Sequence, residues 1–454
     1  MNYMALLWNL FQMLGNNKKS RKEIGKLQKK KLRKIINYAY VNSAYYRRVY
    51  REAGMTEENK NIFPIKKILV INKQILMEHF DEIITTEEVT QNELGRFDEE
   101  NRDMNQIYKQ NYHVVHSSGS TGTPKYYVYD DSAWNQMLIG IIRGALWDMS
   151  VMEIVKLLWK KPRILYIAAT DGRYGGAMAV GDGIDGLKAE QMHLDINLPL
   201  KEWKNAVTKF KPNIIIGYPS AVKILAGMVE NGEITCNFSR IITCGEPLSH
   251  GLRAYLEGVF GEKIINFYGA SESLALGVET DIREGMYLFD DLNYIEIIEG
   301  KIYITSLYNE IQPLIRYELN DSLRLKENAL SGCHFTRVAT VLGRDEDMMW
   351  FENQQGVKEF LHPLAVEGIC IEGIIDYQFV QKSKDSFELL VETEKNANQE
   401  KISIELYELM DAILAKKKMS FVYYSVRYVD RIEADQRTGK KPLIVCDGEE
   451  GNGY

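Results

Sequence analysis

Cysteine is scarce in this chain of 454 residues, and the few that occur show no pairing pattern. The five cysteines are scattered and none belongs to a Cys-x-x-Cys pair, which argues against a disulfide framework and for a reducing compartment. An excess of positive charge is also lacking. The formal net charge is -7, so general attraction to nucleic acid is not expected, and any anion site must be built from local donors.

Long hydrophobic runs, internal repeats and low-complexity segments are missing as well. The longest early apolar stretch, residues 4–14, is interrupted by Asn9 and Gln12. It is too short to span a bilayer and has no cleavage-site pattern. The sequence therefore predicts a cytoplasmic protein with no integral membrane association.

A strongly basic segment, residues 18–34, follows that stretch. Leu27, Leu32, Ile35 and Ile36 recur in and beyond it at helical spacing, which predicts an amphipathic helix docked by its apolar face. A solvated basic face is the ordinary interpretation of the lysines, and weak binding to a membrane surface is the alternative.

From residue 112 onward, strand-like and helix-like stretches alternate, which indicates α/β units with parallel strands. After about residue 280 the chain becomes rich in strands, and the last hundred or so residues read as a separate small unit. We expect strands at 164–169, 214–217, 240–244 and 263–267, helices between them, and a further strand at 323–326. The predicted fold class is α/β, with a large N-terminal domain of mixed sheets and helices (1–342) joined by a hinge to a small α+β C-terminal domain (343–454).

The most informative motif is a loop rich in glycine and hydroxyl side chains that spans residues 116–125 and ends in Lys125. Strand-like residues flank it on both sides. Glycines let backbone N–H groups converge on one concavity, and the hydroxyls and Lys125 add donors and positive charge, so the loop suits a polyphosphate. The spacing is not that of a Walker A loop, and a plain β-hairpin turn is the alternative.

Further motifs follow the loop in a fixed order. They are Cys244-Gly245-Glu246-Pro247, Asn266-Phe267-Tyr268-Gly269-Ala270-Ser271-Glu272, Pro313 to Asp321, Gly343-Arg344-Asp345, and Arg437-Thr438-Gly439-Lys440-Lys441. In this order they resemble the adenylate-forming superfamily of acyl-CoA ligases and adenylation domains. The resemblance points to the phenylacetate–CoA ligase branch and, within it, to capsule-biosynthesis and deazaflavin-adenylylating relatives.

The resemblance implies an ATP/AMP site and assigns its residues. The cofactor-binding positions are Ser117, Ser118, Gly119, Ser120, Thr121, Gly122, Thr123, Lys125, Gly245, Glu246, Pro247, Asn266, Phe267, Tyr268, Gly269, Ser271, Asp321 and Arg344.

Individual side chains in this set have chemistry that fits the implied roles. Phe267 and Tyr268 can offer a flat face to adenine, although a core aromatic is the alternative for each. Asp321 can accept both ribose hydroxyls. Glu272 is a candidate ligand of Mg²⁺, which prefers hard oxygen donors and bridges phosphates, and a surface salt bridge is the alternative.

Lys440 aligns with the lysine that the family uses in catalysis, and its neighbour Lys441 is the rival. A cation there would stabilise charge as a carboxylate attacks the α-phosphorus of ATP and pyrophosphate leaves. With Glu272 and Lys125, Lys440 completes the predicted catalytic set.

A structural zinc site is a weaker hypothesis, based on Cys244, His250, Cys333 and His334. Thiolate and imidazole are suitable zinc ligands, but the second half of the site lacks the Cys-x-Cys pair that the family usually has. Buried cysteines and a surface histidine are the alternative interpretation.

The predicted partners are a small carboxylic acid and an acyl acceptor, which is CoA, a carrier-protein thiol, an amine or a hydroxyl. The segment after the predicted hinge lacks the Lys/Arg-x-x-Gly turn common in acyl-CoA ligases, which leaves the acceptor open. The rival functions are nucleotidyl transfer that leaves AMP on the substrate, and non-catalytic nucleotide binding. The oligomeric state is undetermined, with a homodimer as one option.

Overall fold

The structure is a computed structural model, and it describes most of the chain. The described residues are 3–100, 106–116, 125–159, 161–168, 178–179, 189–280, 283–298, 301–323, 325–326, 333–339, 348–361, 363–366, 369, 371–432 and 443–446.

A mixed sheet of eight strands forms the centre of the fold. Its order is β13-β9-β8-β7-β6-β5-β3-β4, parallel from β7 to β4 and antiparallel on the other side. The strands are β3 (Arg163–Ala168), β4 (Glu190–Asp195), β5 (Ile214–Gly217), β6 (Arg240–Cys244), β7 (Ile264–Ala270), β8 (Ser273–Thr280), β9 (Arg283–Leu288) and β13 (Arg337–Val338).

From β4 to β7, successive parallel strands are linked by helices that pack on the sheet, as the alternating sequence pattern predicts. The helices of the described residues up to 260 are α1 (Tyr3–Asn16), α2 (Arg21–Asn42), α3 (Ala44–Glu52), α4 (Lys73–Glu78), α5 (Phe80–Ile83), α6 (Gln91–Glu100), α7 (Asp131–Ala145), α8 (Val151–Trp159), α9 (Leu200–Phe210), α10 (Pro219–Glu230) and α11 (His250–Phe260).

Two smaller antiparallel sheets complete this part of the molecule. One is the hairpin of β1 (Tyr112–His116) and β2 (Tyr126–Asp130), which flank the predicted phosphate loop. The other contains β10 (Asn293–Ile298), β11 (Lys301–Ser306) and β12 (Tyr317–Ser322). The prediction of a strand at 323–326 is wrong, because the described residues there form only an isolated bridge from Leu325 to Val338.

The residues after 348 form sheets of their own around a separate hydrophobic cluster. This part contains β14 (Met349–Glu352), β15 (Lys358–Leu361), α12 (Pro363–Val366), β16 (Ile374–Ser383), β17 (Ser386–Thr393), α13 (Gln399–Lys416), β18 (Tyr423–Val429) and β19 (Ile444–Cys446). The α/β class with a large and a small part is confirmed, whereas the hinge near 343 lies outside the described residues and stays a prediction.

A buried lysine joins the C-terminal part to the central sheet. The Lys417 Nζ donates to the carbonyl oxygens of Ile196 and Leu198, at 3.1 Å each, and lies 3.7 Å from the Phe360 ring centre. Burial lowers the pKa of Lys417 to about 8, partly offset by attraction to the Glu359 carboxylate. The Glu359 Oε1 in turn accepts a hydrogen bond from the backbone N–H of Leu200, 2.8 Å away.

The predicted N-terminal helix is present as α2, with Leu32, Ile35 and Ile36 buried. It begins with a capping box, in which the Ser20 side chain accepts from the Glu23 backbone N–H and the Glu23 carboxylate accepts from Ser20. No helix of the described residues is long and apolar enough to cross a bilayer.

Candidate active site

The predicted motifs that lie within the described residues converge on one edge of the central sheet. Because β5, β6 and β7 are parallel, the segments that follow them emerge at the same edge, where open α/β sheets bind ligands. Tyr218 follows β5 and Gly245 follows β6. These two are in contact, since Gly245 has φ +82° and a Cβ there would lie 2.6 Å from the Tyr218 ring. Glycine is therefore required at this turn.

Tyr268, near the end of β7, is hydrogen-bonded to the carboxylate predicted to bind ribose. Its hydroxyl donates to Asp321 Oδ2 at 2.8 Å. Burial, followed by the charge of Asp321, raises the pKa of Tyr268 well above its ordinary value, so the phenol stays neutral and keeps its proton as a donor. The half-buried Tyr268 ring and the exposed Asp321 thus form one unit, although 53 positions separate them.

Glu272 is held by tyrosines from two other strands. The Tyr127 hydroxyl on β2 donates to Glu272 Oε1 at 2.7 Å and lies 3.4 Å from the Tyr317 hydroxyl at the start of β12. Burial and the charge of Glu272 raise the pKa of both tyrosines, so both phenols stay neutral. The half-buried carboxylate is therefore oriented by hydroxyls that bring no charge of their own beside it.

The backbone around Glu272 is fixed as tightly as its side chain. The Tyr129 hydroxyl lies 3.1 Å from the Ser271 carbonyl oxygen and 3.2 Å from that of Glu272. Gly269 is needed in the same turn, because a Cβ there would overlap the carbonyl oxygen of Leu274. The turn between β7 and β8 thus has little freedom to move.

The strand that carries Tyr317 and Asp321 is anchored at Arg316, a non-glycine residue with a left-handed φ of +53°. The buried Arg316 side chain offsets this strain. Its Nε donates to Glu296 Oε2 at 2.8 Å and its Nη1 donates to the Ile68 carbonyl oxygen at 2.6 Å. The strand is therefore held from both sides before it reaches the site.

Lys125 is half-buried at the start of β2, two positions before Tyr127. A second cation, Lys73 at the start of α4, was not among the predicted site residues. Burial lowers the pKa of Lys73, and repulsion from the nearby Lys125 lowers it further. The two lysines place positive charge where the phosphate loop meets the sheet.

Other predicted residues lie at this edge but have structural partners. Phe267 is 8% exposed and packs against Phe289, so its ring belongs to the core and only Tyr268 can offer a face to adenine. Asn266 is buried, and its side chain donates to Glu279 Oε2 at 3.2 Å.

Glu246 accepts hydrogen bonds from both the backbone N–H and the hydroxyl of Ser220, at 3.0 and 2.9 Å. These bonds hold the first turn of α10. A contact of Glu246 or of its neighbour Pro247 with the nucleotide stays a prediction.

Several predicted residues lie outside the described part of the chain. They are Ser117, Ser118, Gly119, Ser120, Thr121, Gly122, Thr123, Arg344, Lys440 and Lys441. Their assignments stay predictions.

The four predicted zinc ligands are not brought together. Within the described residues, which include Cys244, His250, Cys333 and His334, no group of three or more histidine, cysteine or acidic side chains could hold a metal ion. Cys333 is part of the hydrophobic core, and burial raises the pKa of Cys244 to about 12, so that thiol stays protonated. The zinc hypothesis is corrected on this geometry, since Cys333 is a core cysteine and Cys244 is half-buried and packs against the same core.

The tyrosine hydroxyls of residues 127, 129 and 317 were missed because only the loop and its flanking strand character were considered. The signal was present in the sequence, since Tyr127 and Tyr129 alternate along a strand that leaves a phosphate-type loop. Alternate residues share one face of a strand, so both were bound to face the same neighbour.

Comparisons with known proteins agree with this arrangement. No protein-family model matches the chain. Over 420 residues, 86% of this chain and 86% of the relative, it is 24% identical to phenylacetate–coenzyme A ligase of Thermus thermophilus. The resemblance to the adenylate-forming superfamily that the order of the motifs predicted is confirmed by these relatives. Over most of its length the chain is similar to phenylacetate–CoA ligases.

Two further proteins match most of the chain. Protein CapK of Staphylococcus aureus is 22% identical over 411 residues, 85% of this chain and 82% of that protein. A crystal structure of 2-hydroxyisobutyryl-CoA ligase with 2-HIB-AMP and CoA shares the fold, with a TM-score of 0.63, 18% identity, and coverage of 95% of this chain and 92% of that one.

Proposed function

We propose that this protein activates a carboxylic acid with ATP as an acyl-adenylate, releases pyrophosphate, and transfers the acyl group to CoA. One observation carries the proposal: hydrogen bonds join Tyr127 to Glu272 and Tyr268 to Asp321 at the ligand-binding edge of the sheet. Parts of the chain that are far apart in sequence thereby bring into one region a carboxylate suited to a divalent cation, Glu272, and a carboxylate suited to ribose hydroxyls, Asp321.

Each side chain has a role suited to its chemistry. The Asp321 carboxylate accepts the ribose hydroxyls, and its bond from Tyr268 fixes its orientation. Lys125 and Lys73 attract the polyphosphate, and the loop at 117–123 supplies further donors.

The donor set at Glu272 fits Mg²⁺, because a single carboxylate together with substrate phosphates is how this ion is commonly held in nucleotide enzymes. Tyr127 orients the carboxylate for that purpose. When bound, the ion supplies positive charge that offsets the repulsion between two anionic reactants.

The reaction itself is an in-line displacement. A carboxylate oxygen of the acid bonds to the α-phosphorus of ATP as the bond from that phosphorus to the bridging oxygen of pyrophosphate breaks. Lys440, by its resemblance to the family lysine, stabilises the charge that develops. The CoA thiol then attacks the acyl carbon, and AMP leaves with the electron pair.

A pyrophosphate-exchange screen tests the first step. Purified protein is incubated with labelled pyrophosphate, ATP and Mg²⁺ and with each of a panel of aromatic, fatty and amino acids. Exchange that depends on one acid supports adenylation. Absence of exchange with every class of acid, while ATP still binds, supports the non-catalytic alternative instead.

Product analysis then tests the acceptor. With the active acid, CoA should yield a thioester and free AMP, detected by mass spectrometry. A product that retains label from α-³²P-ATP supports nucleotidyl transfer, and an amide or carrier-bound product identifies a different acceptor. Failure to form a thioester at millimolar CoA contradicts the ligase proposal at this step but leaves adenylation intact.

A further inference from the structure

The N-terminal helix α1 is apolar on two opposite faces. One face packs on the body of the protein, where the buried Leu10 contacts the cluster around Ile139 of α7. The other face carries Trp8 and Phe11, which are 65% and 59% exposed. Surface helices normally turn polar side chains to the solvent, so an outward face with two aromatic residues three positions apart needs a cover.

The next helix, α2, is basic on its outward face. Lys22, Lys26, Lys29 and Lys30 are all exposed, and their spacing places them on one side of the helix. Among the described residues, none of these four lysines forms an ion pair with a carboxylate. In a chain whose net charge is -7, this is a local reversal of sign.

The two faces adjoin along the chain. Helix α1 ends at Asn16 and α2 begins at Arg21, so only a short turn separates the aromatic face from the lysine face. We propose that α1 and the first turns of α2 form a docking surface for an anionic lipid bilayer. Trp8 and Phe11 insert at the level of the headgroups, and the lysines contact lipid phosphates.

Charge favours a lipid surface over a second copy of this chain. A symmetric dimer through this face would bring the same lysines of both copies close together, and the carboxylate beside them, Glu23, is already held by Ser20 in the capping box. An anionic bilayer supplies both the negative charge that the lysines lack and the apolar layer that Trp8 and Phe11 lack. Binding through two aromatic residues and a few lysines should be weak, reversible and sensitive to salt.

Vesicle sedimentation tests the proposal with the full-length protein. Wild type should sediment with vesicles of equimolar phosphatidylcholine and phosphatidylglycerol at low salt, and not with vesicles of phosphatidylcholine alone. A lysine near an anionic surface contributes about 1 kcal/mol, or about fivefold in affinity, so Lys26→Gln/Lys29→Gln should weaken binding about thirtyfold. Trp8→Ala/Phe11→Ala should weaken it about tenfold or more, because apolar area no longer leaves water.

Matched controls separate this surface from general effects. Lys209→Gln/Lys223→Gln removes the same charge from exposed positions on α9 and α10. Ile404→Ala/Tyr407→Ala removes an exposed apolar pair with the same spacing from α13. Both controls should bind vesicles like wild type. All four variants should retain pyrophosphate exchange, so loss of lipid binding is distinguishable from loss of the enzymatic site.

Three outcomes would overturn the proposal. The first is wild-type protein that does not sediment with anionic vesicles at low salt. The second is equal loss of binding in the control variants. The third is a wild-type dimer, seen by analytical ultracentrifugation, that Trp8→Ala/Phe11→Ala converts to a monomer while vesicle binding is unchanged, because the aromatic face would then be a subunit contact.

Discussion

Carboxylates in the core of this protein and carboxylates at its candidate site are held by different partners. In the core, the Asp291 carboxylate accepts two hydrogen bonds from Arg143 at 2.7 and 3.0 Å and one from Asn16 Nδ2 at 2.7 Å, and the Arg143 and Asp291 side chains are almost completely buried. At the site, Glu272 and Asp321 are held at similar distances by the hydroxyls of Tyr127 and Tyr268. An arginine cancels the charge of its carboxylate, whereas a neutral phenol orients the carboxylate and leaves its charge in place.

The difference matches what each position has to do. A buried charge without a partner destabilises the fold, and two further buried carboxylates have arginine partners, Glu279 in Arg253 and Glu296 in Arg316. A carboxylate that must bind a cation or a sugar needs its negative charge. The pKa values of Tyr127 and Tyr268 are also raised. Both phenols therefore keep their protons, and they donate hydrogen bonds without carrying a charge of their own.

The largest expected effect comes from breaking a core pair. Arg143→Leu leaves Asp291 buried without its cation and should reduce the free energy of unfolding by about 3–5 kcal/mol. Urea denaturation measures it. Lys204→Met is the control, because Lys204 and Glu233 form an exposed pair at 3.6 Å whose loss should cost less than about 1 kcal/mol. Equal costs for the two variants would contradict the distinction between core and surface pairs.

Removing the charge at the site should cost activity and little stability. Glu272→Gln keeps an oxygen for the Tyr127 hydroxyl but loses the negative charge, so acid-dependent pyrophosphate exchange should fall about 100-fold or more. The melting temperature should stay close to that of wild type. Exchange at the wild-type rate with an unchanged requirement for Mg²⁺ would show that Glu272 is not the metal ligand.

Lys417, the buried lysine that joins the C-terminal part to the central sheet, tests the cost of a buried charge through its dependence on pH. Lys417 has a folded-state pKa of about 8, below the ordinary value of about 10.4, so the folded state binds fewer protons between these values. Burying the charged lysine costs stability below pH 8, and that cost disappears as the pH rises. The stability of wild type relative to Lys417→Met should therefore increase on the order of 2 kcal/mol from pH 7.5 to 9.5. Denaturation of both proteins at the two pH values measures it, and a constant difference would refute the assigned pKa shift.

The smallest expected effect comes from removing one neutral donor. Tyr127→Phe loses the hydrogen bond to Glu272 and should raise the Mg²⁺ concentration for half-maximal exchange about tenfold. The control is Tyr126→Phe, which removes the neighbouring hydroxyl on the opposite face of β2. Exchange titrated with Mg²⁺ at saturating ATP gives both values. Similar shifts in the two variants would mean that the hydroxyl of Tyr127 has no special role.

Much of the fold could be predicted because the relevant signals are local. The buried strands at 214–217 and 240–244 are short apolar runs between amphipathic helices, and the structure has them at those positions. The outline of the candidate site could be predicted because it follows from the order of the motifs along the chain. Its tyrosine hydrogen bonds could not, since they join residues 145 and 53 positions apart and depend on how β2, β7 and β12 are placed in space.

The errors have the same origin. Phe267 and Tyr268 are adjacent in sequence, and only their alternation along β7 decides that one ring enters the core and the other faces the site. The zinc hypothesis was based on residue types alone. The sequence does not show that Cys333 lies in the core or that Cys244 packs against it.

The position of Tyr127 on β2 has a thermodynamic consequence. Lys125, a predicted phosphate ligand, and Tyr127, whose hydroxyl orients Glu272, lie two positions apart on one short stretch of backbone, so a shift of one is expected to move the other. Binding of ATP at Lys125 would then change the affinity of Glu272 for the divalent ion. Thermodynamic reciprocity requires that the ion change the affinity for ATP by the same factor. Bound ATP should raise the affinity of the protein for the divalent ion by the same factor as the bound ion raises its affinity for ATP.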